Sequence, residues 1–160
     1  MDMIFGDAVE LRLPSKPEYV AIARALVTDI ARRLALSSSA VEDVQVAASE
    51  ACTNVVRHAY SDPDRTSADM VVRCISSHGR LVIEVADSGC GFTVPLAFAR
   101  DDDRDGGLGL VLIQNLMDQV SLDSAPDQGT IVRMVKNAAR VPGPRTVRDT
   151  KVKLTAPVRL

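Results

Sequence analysis

The spacing of apolar residues changes along this chain, and these changes constrain the fold more than any other feature. Val9, Leu11 and Leu13 alternate with charged residues, which predicts a half-buried strand that Pro14 ends. From Pro17, a residue that suits the first turn of a helix, the spacing becomes helical in two successive stripes. The first stripe contains Tyr19, Ile22, Ala23, Leu26, Val27, Ile30 and Leu34, and the second contains Val41, Val44, Ala48, Ala51, Cys52, Val55 and Ala59. The chain is therefore predicted to begin with one strand and two helices.

The second helix is predicted to begin at Ser39. The Ser39 hydroxyl can accept a hydrogen bond from a backbone N–H of the first turn, and Glu42 follows three residues later. This is the spacing of a capping box, which stabilises the start of a helix. Pro63 lies beyond the predicted end of this helix.

The second half of the chain is predicted to contain two hairpins separated by a helix. A connection of hairpin length that includes Gly79 joins the first pair of strand candidates. The predicted elements are strands at 70–76 and 81–86, a helix at about 108–117, and strands at 120–124 and 130–136. The order β-α-α-β-β-loop-α-β-β predicts an α+β fold: a two-layer sandwich with one mostly antiparallel sheet and helices on one face.

Composition excludes several classes of function. A chain of 160 residues with 46% hydrophobic and 25% charged residues is typical of one globular domain with a single core. Aromatic residues make up 3%, so no stacking platform for nucleic acid is predicted, and a net charge of −2 predicts no polyanionic partner. No stretch approaches the ~20 apolar residues of a membrane span, and the N-terminus lacks the basic start of a signal peptide. The cysteines are odd in number and widely spaced, which favours neither disulfides nor zinc, and we expect a cytoplasmic protein.

The charge is unevenly distributed along the chain. Residues 137–160 contain six basic residues and one acid, a net of +5, which leaves −7 for the rest. Pro142, Pro144 and Pro157 interrupt this segment, and it has little apolar periodicity. We therefore expect one domain at 8–137 and a basic, flexible tail at 138–160, for which a plain solvated extension is the alternative.

A carboxylate and a carboxamide share one face of the second helix. Glu50 and Asn54 are four residues apart, which places their Cβ atoms about 6 Å from each other. One oxygen can take a proton from an attacking hydroxyl while the other coordinates a hard cation such as Mg²⁺. Taken alone, such a pair is more often a solvated helix face.

Two glycine clusters follow this helix. The first, Asp87-Ser88-Gly89-Cys90-Gly91, stands where a predicted strand ends; its aspartate can accept from an exocyclic amine, and its glycines let a flat ring approach the backbone. The second, Gly106-Gly107-Leu108-Gly109-Leu110, runs into a helix, whose N-terminus favours a phosphate. The polar loop at 92–105 between them can act as a lid over a ligand. Each cluster alone is also typical of an ordinary turn or surface loop.

The three motifs occur in the order E-x-x-x-N, D-x-G-x-G and G-x-G, and together they are far more specific than any one of them alone. The chain resembles the ATP-binding fold shared by gyrase B, Hsp90, histidine kinases and MutL, and within it the bacterial anti-sigma-factor serine kinases. The resemblance covers about residues 8–137. It rests on PSKPEYVAIAR, SEACTNVVRHAY, VADSG and GGLGLVLIQNLMDQV.

The resemblance implies a role for each motif residue. Glu50 matches the general base that activates the substrate serine, and Asn54 matches the Mg²⁺ ligand. Asp87 matches the acceptor for the adenine amine, with Gly89 and Gly91 under the nucleotide.

The phosphate loop and the partner surface are also implied by the resemblance. The phosphate loop matches Gly107, Leu108 and Gly109, and Thr130 matches a hydroxyl that helps hold adenine. Arg24 lies on the helix face that meets the partner protein in this family. An arginine often precedes the phosphate loop; here Asp105 occupies the closest register and Arg104 is one residue away.

The resemblance implies an anti-sigma factor that phosphorylates a serine of a small antagonist protein of the STAS type with Mg-ATP. The alternative is an ATP-binding scaffold that sequesters its partner without turnover, which Asp105 in place of arginine favours. A third interpretation, an ATPase subdomain of a histidine kinase, requires a further partner domain. The strand at 9–13 is expected at a sheet edge, where it can pair with a second copy to form a homodimer; the alternative is a monomer. No nucleic acid or membrane partner is expected.

Overall fold

The computed structural model describes residues 7–60, 68–77, 79–92 and 107–138. Within them the predicted α+β order of elements is confirmed, with one addition, a π-helical turn directly after the second helix. The elements are β1 (Asp7–Pro14), α1 (Pro17–Arg33), α2 (Ser38–Asn54), the π-turn (Val55–Ala59), β2 (Asp69–Ser77), β3 (Arg80–Asp87), α3 (Gly107–Leu116), β4 (Gln119–Ser124) and β5 (Thr130–Asn137). None of the helices in these residues is long and apolar enough to span a membrane.

The strands form one sheet in the order β1-β2-β3-β5-β4, and every neighbouring pair is antiparallel. The strand β1 lies at one edge, as expected, and β4 at the other. All three helices contact the sheet: α1 lies against β1 and β2, α2 against β3 and β5, and α3 against β4. The core fills the space between the two layers.

The strand register aligns the helix-facing residues into cross-strand rows. Two rows are apolar and, apart from the edge residues of β1, buried: Val9, Cys74, Ile83, Met134 and Val120; and Leu11, Val72, Val85, Val132 and Leu122. A third row starts apolar at Leu13 and Met70 and then turns polar at Asp87, Thr130 and Ser124. Asp87, Thr130 and Ser124 therefore form a polar corner of the helix-facing side, at the edge of an apolar core.

The outer side of the sheet carries a row of alternating charge. The Arg73 guanidinium bonds Glu10 at 2.6 Å and lies 3.7 Å from Glu84, which also pairs with Arg133. These four residues are directly opposite one another in the register. Opposite charges on facing strands favour this register over a one-residue slip.

The predicted capping residue of α2, Ser39, is wrong by two positions. Ser37 is the capping residue: its Oγ accepts from the Ala40 N–H at 3.2 Å, and the helix begins at Ser38. The reason is packing, because a cap at position 37 is flanked by the buried Leu36 before it and the buried Val41 four residues after it, the arrangement of a hydrophobic staple. A cap at Ser39 would place polar residues at both positions.

Candidate functional site

The first and third motifs meet where α2 and α3 pack together. A Cβ atom at Gly109 would lie 3.1 Å from Glu50 Oε2 and 3.5 Å from Asn54 Oδ1. Glu50 and Asn54 are both partly buried, and their side chains therefore converge on the first turn of α3. A side chain at position 109 would therefore displace the end of the Glu50 side chain. The geometry places a carboxylate and a carboxamide beside the first turn of α3, and these groups can accept a proton and ligate a cation.

Gly107 is the first residue of α3, so the predicted phosphate-loop glycines stand at a helix N-terminus. A helix N-terminus attracts anions through its free N–H groups and its dipole. Leu108 between them is 81% exposed, so its side chain does not pack into the core. Arg104 and Asp105, the lid segment from residue 93 onward, and the basic tail beyond residue 138 lie outside the described residues.

The π-turn joins α2 to the second motif. The Ala59 carbonyl accepts from the Cys90 N–H at 2.8 Å, and the His58 carbonyl accepts from Cys90 Sγ at 3.3 Å. A Cβ atom at Gly89 would lie 2.0 Å from the Ala59 oxygen, so no other residue fits without moving the backbone. Such turns occur frequently at functional sites. Here the turn holds the loop after β3 against the end of α2.

Tyr60 adds a second connection at the same place. Its hydroxyl donates to the Asp69 carbonyl at 2.5 Å and accepts from the Ser88 N–H at 3.2 Å. The end of the helical segment is thereby tied to β2 and to the loop of the second motif. Sequence reasoning did not single out Tyr60, although it closes the same SEACTNVVRHAY segment that carries Glu50 and Asn54.

Asp87 lies at the polar corner of the helix-facing side, as the last residue of β3. Burial raises the pKa of its carboxyl group, and this effect is partly opposed by hydrogen bonds from the backbone N–H groups of Gly89 and Thr130, which lower it. The Gly89 N–H lies 2.8 Å from Asp87 Oδ1. The carboxylate is therefore fixed by backbone donors and retains acceptor capacity for a further donor.

The turn between β4 and β5 closes the other side of this corner. Gly129, at φ +78°, and Gly91, at φ +55°, adopt conformations that favour glycine, and both are also tightly packed. A Cβ at Gly129 would lie 2.1 Å from the Asp87 carbonyl oxygen, and one at Gly91 would lie 2.0 Å from the Ala125 oxygen. The Asp127 N–H also donates to the Cys90 carbonyl at 2.7 Å. The second motif is therefore packed directly on this turn.

Ser124 and Thr130 complete the polar corner. Ser124 Oγ lies 2.9 Å from Thr130 Oγ1, 3.2 Å from the Gly129 oxygen and 3.0 Å from the Phe92 nitrogen. Sequence reasoning identified Thr130 and missed Ser124. The available signal was the hairpin itself, because Ser124 ends the strand that precedes the turn and faces Thr130 across it.

Arg24 lies apart from this site. It is exposed on α1 and lines a shallow depression of about 330 Å³ together with Asp29, Arg32 and Gln45. Glu50, Asn54 and Asp87 are not among its lining residues. The depression is therefore a separate surface feature, on the helix that the resemblance assigns to the partner protein.

The described residues fit a nucleotide with a divalent cation. They contain no group of three or more His, Cys, Asp or Glu side chains that could hold a metal alone. Mg²⁺ is commonly held by one or two protein oxygens together with substrate phosphates, and Glu50 and Asn54 offer such oxygens beside the start of α3. The polar corner at Asp87 offers acceptors for a base. The two ends of a nucleotide thus find chemically suitable groups.

Comparisons with known proteins identify similar sequences. A profile of the histidine kinase-like ATPase domain matches residues 13–136. The serine-protein kinase RsbW of Bacillus pumilus is 37% identical over 155 residues, covering 89% of this chain and 94% of the relative. RsbW of Listeria monocytogenes serotype 4a is 38% identical over 140 residues, covering 81% and 87%.

A solved structure shares the fold. The RsbU and RsbW domains of Rv1364c from Mycobacterium tuberculosis match with a TM-score of 0.64 and 20% identity. The match covers 91% of this chain and 35% of that longer chain. At this identity, the likeness concerns the fold alone.

Proposed function

Because the chain belongs to the histidine kinase-like ATPase family and, within it, to the serine-protein kinases named RsbW, we propose that it is an anti-sigma factor with serine kinase activity. It sequesters a sigma factor, and it uses Mg-ATP to phosphorylate a serine of an antagonist protein. The observation that carries this proposal is the convergence of Glu50 and Asn54 on Gly109 at the start of α3. A base, a cation ligand and a phosphate-binding helix end are needed together for phosphoryl transfer.

Each part of the site has one task in this proposal. Asp87 and Thr130 hold the adenine base, and the packed backbone at Gly89 and Gly91 supports the ring and sugar. The N-terminus of α3 from Gly107 to Gly109 holds the phosphates, and Asn54 ligates Mg²⁺. When bound, Mg-ATP supplies the γ-phosphoryl group and the charge neutralisation for its transfer.

Glu50 performs the proton transfer. It accepts the proton of the substrate serine as the serine oxygen forms its bond to the γ-phosphorus and the bond to the ADP oxygen breaks. A general base contributes typically about 10²–10⁴-fold in rate. The product phosphoserine carries about two negative charges, enough to change which partner protein the kinase prefers.

The remaining assignments concern assembly. We assign residues 8–137 to the kinase domain and 138–160 to a basic tail, and we place the protein in the cytoplasm. The edge strand β1 is the proposed homodimer contact, because it has a neighbouring strand on one side only and Leu13 is its one buried residue. The exposed Arg24 is assigned to the partner surface.

The test is phosphorylation of a serine-bearing antagonist with Mg-ATP, followed by mass spectrometry. Wild-type protein should yield phosphoserine, and Glu50→Gln should reduce the rate by about 10²–10⁴-fold while ATP binding is retained. Glu42→Gln, an exposed glutamate on the same helix, is the matched control and should phosphorylate at the wild-type rate. ATP binding without any phosphoserine would favour the scaffold without turnover, and a wild-type rate in Glu50→Gln would remove the assigned base.

A further inference from the structure

The hydroxyl of Ser124 contacts three polar groups. A serine hydroxyl offers one O–H donor and two acceptor lone pairs. The Gly129 carbonyl, at 3.2 Å, can only accept, so the Ser124 O–H donates to it. The Phe92 N–H, at 3.0 Å, can only donate, so it uses one lone pair.

One lone pair of Ser124 therefore remains for Thr130. With the single proton of Ser124 placed on the Gly129 carbonyl, Thr130 is the donor in the 2.9 Å contact between the two hydroxyls. The Thr130 proton then points at Ser124 and is not available to a ligand. Toward a ligand, the lone pairs of Thr130 Oγ1 can then only accept hydrogen bonds.

The polar corner consequently presents acceptors from two neighbouring strands. Asp87 faces Thr130 in the register, and Thr130 faces Ser124, so the three side chains stand in one row. The Asp87 carboxylate is held by the Gly89 N–H at 2.8 Å. Two acceptors side by side favour a donor group on the ligand and disfavour a carbonyl, because a buried acceptor without a donor is costly.

We infer that Ser124 is a positioning residue for base selection: by taking the Thr130 proton it makes the corner select a 6-amino purine over a 6-oxo purine. The inference rests on the proposed nucleotide site and deepens it. A site built to hydrogen-bond a particular group discriminates strongly against an analogue that lacks the group. Ser124 acts only through Thr130.

The experiment measures dissociation constants for ATP and inosine triphosphate, which carries a 6-oxo group and lacks a 2-amino group, by calorimetry. Wild-type protein should prefer ATP. Ser124→Ala frees the Thr130 hydroxyl to donate, so the preference should fall by about tenfold, the worth of one hydrogen bond. Ser121→Ala, on the same strand but on the opposite side of the sheet, is the matched control and should leave the ratio unchanged.

A double-mutant comparison separates selection from simple loosening of the corner. In a Thr130→Val background, Ser124→Ala should have no further effect on the ratio, because no Thr130 proton remains to orient. As a single substitution, Ser124→Thr retains the hydroxyl and should keep the wild-type preference for ATP, unlike Ser124→Ala. If Ser124→Ala does not fold, Ser124→Cys, with its weaker donor and acceptor, replaces it.

The outcomes distinguish the inference from the proposed function. An unchanged ATP-to-inosine-triphosphate ratio in Ser124→Ala, with both affinities reduced equally, would overturn the inference and leave the kinase site intact. A wild-type protein that binds neither nucleotide would overturn the proposed site itself. If Ser124→Ala also lowered the ATP-to-inosine-triphosphate preference in the Thr130→Val background, selection would be assigned to Ser124 directly, contrary to the inference.

Discussion

Polar residues form a cross-strand row on each side of the sheet, and the two rows differ in what their side chains contact. The outer row of Glu10, Arg73, Glu84 and Arg133 pairs charge with charge at the surface. The helix-facing row at Asp87, Thr130 and Ser124 is partly buried and is held largely by backbone groups and neighbouring hydroxyls. Exposed ion pairs are screened and contribute little, whereas polar groups at the edge of a core must be satisfied in detail.

The difference fits the proposed position of the nucleotide site. The outer row can tolerate changes at Glu10, Arg73 and Arg133, since their side chains are 45–48% exposed, whereas Glu84 is 18% exposed. In the helix-facing row, each hydrogen bond fixes the direction of the next, and the remaining acceptors are available to a ligand. A sheet can thus have a structural face and a recognition corner built from similar residue types.

Gly89→Ala should have the largest effect on the packed corner. The new Cβ would lie 2.0 Å from the Ala59 carbonyl oxygen, a backbone atom that cannot move without displacing the π-turn. We expect a loss of about 3 kcal/mol in the free energy of unfolding, together with loss of ATP binding. Urea unfolding and calorimetry measure the two quantities.

Gly109→Ala is the matched control for this substitution. Its Cβ would meet the end of the Glu50 side chain at 3.1 Å, and that side chain can rotate. Alanine also favours a helix over glycine by about 1 kcal/mol. Stability should therefore be unchanged or increased while phosphorylation falls, and a loss of stability as large as that of Gly89→Ala would contradict the contrast.

Lys136→Met tests the Lys136–Asp43 ion pair, which is more buried than the Arg73–Glu10 pair of the outer row. Lys136 Nζ bonds Asp43 Oδ2 at 2.7 Å and the Leu116 carbonyl at 2.6 Å, and its side chain is 13% exposed. Removal leaves Asp43 and the end of α3 without this donor, so we expect a loss of about 1–3 kcal/mol. Adding Asp43→Asn should recover part of that loss, and equal losses in the single and double variants would argue against the pair.

The pH dependence of ATP affinity tests the state of Asp87. Burial raises the pKa of this carboxyl group above its ordinary value of 3.8, and base binding requires the ionised form. On acidification, affinity should therefore begin to fall at a higher pH than an ordinary aspartate would cause. The sign for stability is opposite: the folded protein loses stability as the pH rises from 3.8 through the raised pKa, because ionisation is disfavoured there. Asp87→Asn should remove the contribution of this carboxyl group to the pH dependence of ATP affinity, measured by calorimetry, and of stability, measured by unfolding.

Arg73→Gln should have the smallest effect. The guanidinium contacts Glu10 and Glu84 at the surface, where salt screens such pairs. We expect a small shift in the urea midpoint at low ionic strength that disappears at high salt, and no change in ATP affinity. A large loss of stability that does not depend on salt would mean that the outer row is as critical as the helix-facing row.

The order of elements, the family and the three motifs could be predicted from the sequence because they depend on local patterns. Apolar spacing indicates helices and strands, and glycines mark the places of close approach. The family predicted from these motifs is confirmed by the relatives. The helix cap at Ser37 could not be predicted from the local polar residues, because the packing of Leu36 and Val41 in the core selects it.

Other features depended on tertiary contacts. The segment Val55–Ala59 continues the helical pattern of α2, and nothing local distinguishes a π-turn from a further α-helical turn. Ser124 became visible only when the register placed it opposite Thr130. Its role depends on the direction of three hydrogen bonds, which connect residues from position 92 to position 130.

Calorimetric titration of ATP into wild-type protein and Asp87→Asn tests the central claim, that the polar corner of the helix-facing row holds the base. The substitution preserves volume and removes the carboxylate acceptor, so affinity should fall by about tenfold or more, the range for a hydrogen bond to a charged group. Asp123→Asn, an exposed residue on β4, is the control and should bind like wild type. Equal ATP affinities for wild type and Asp87→Asn, or equal wild-type affinities for ATP and GTP, would contradict the claim.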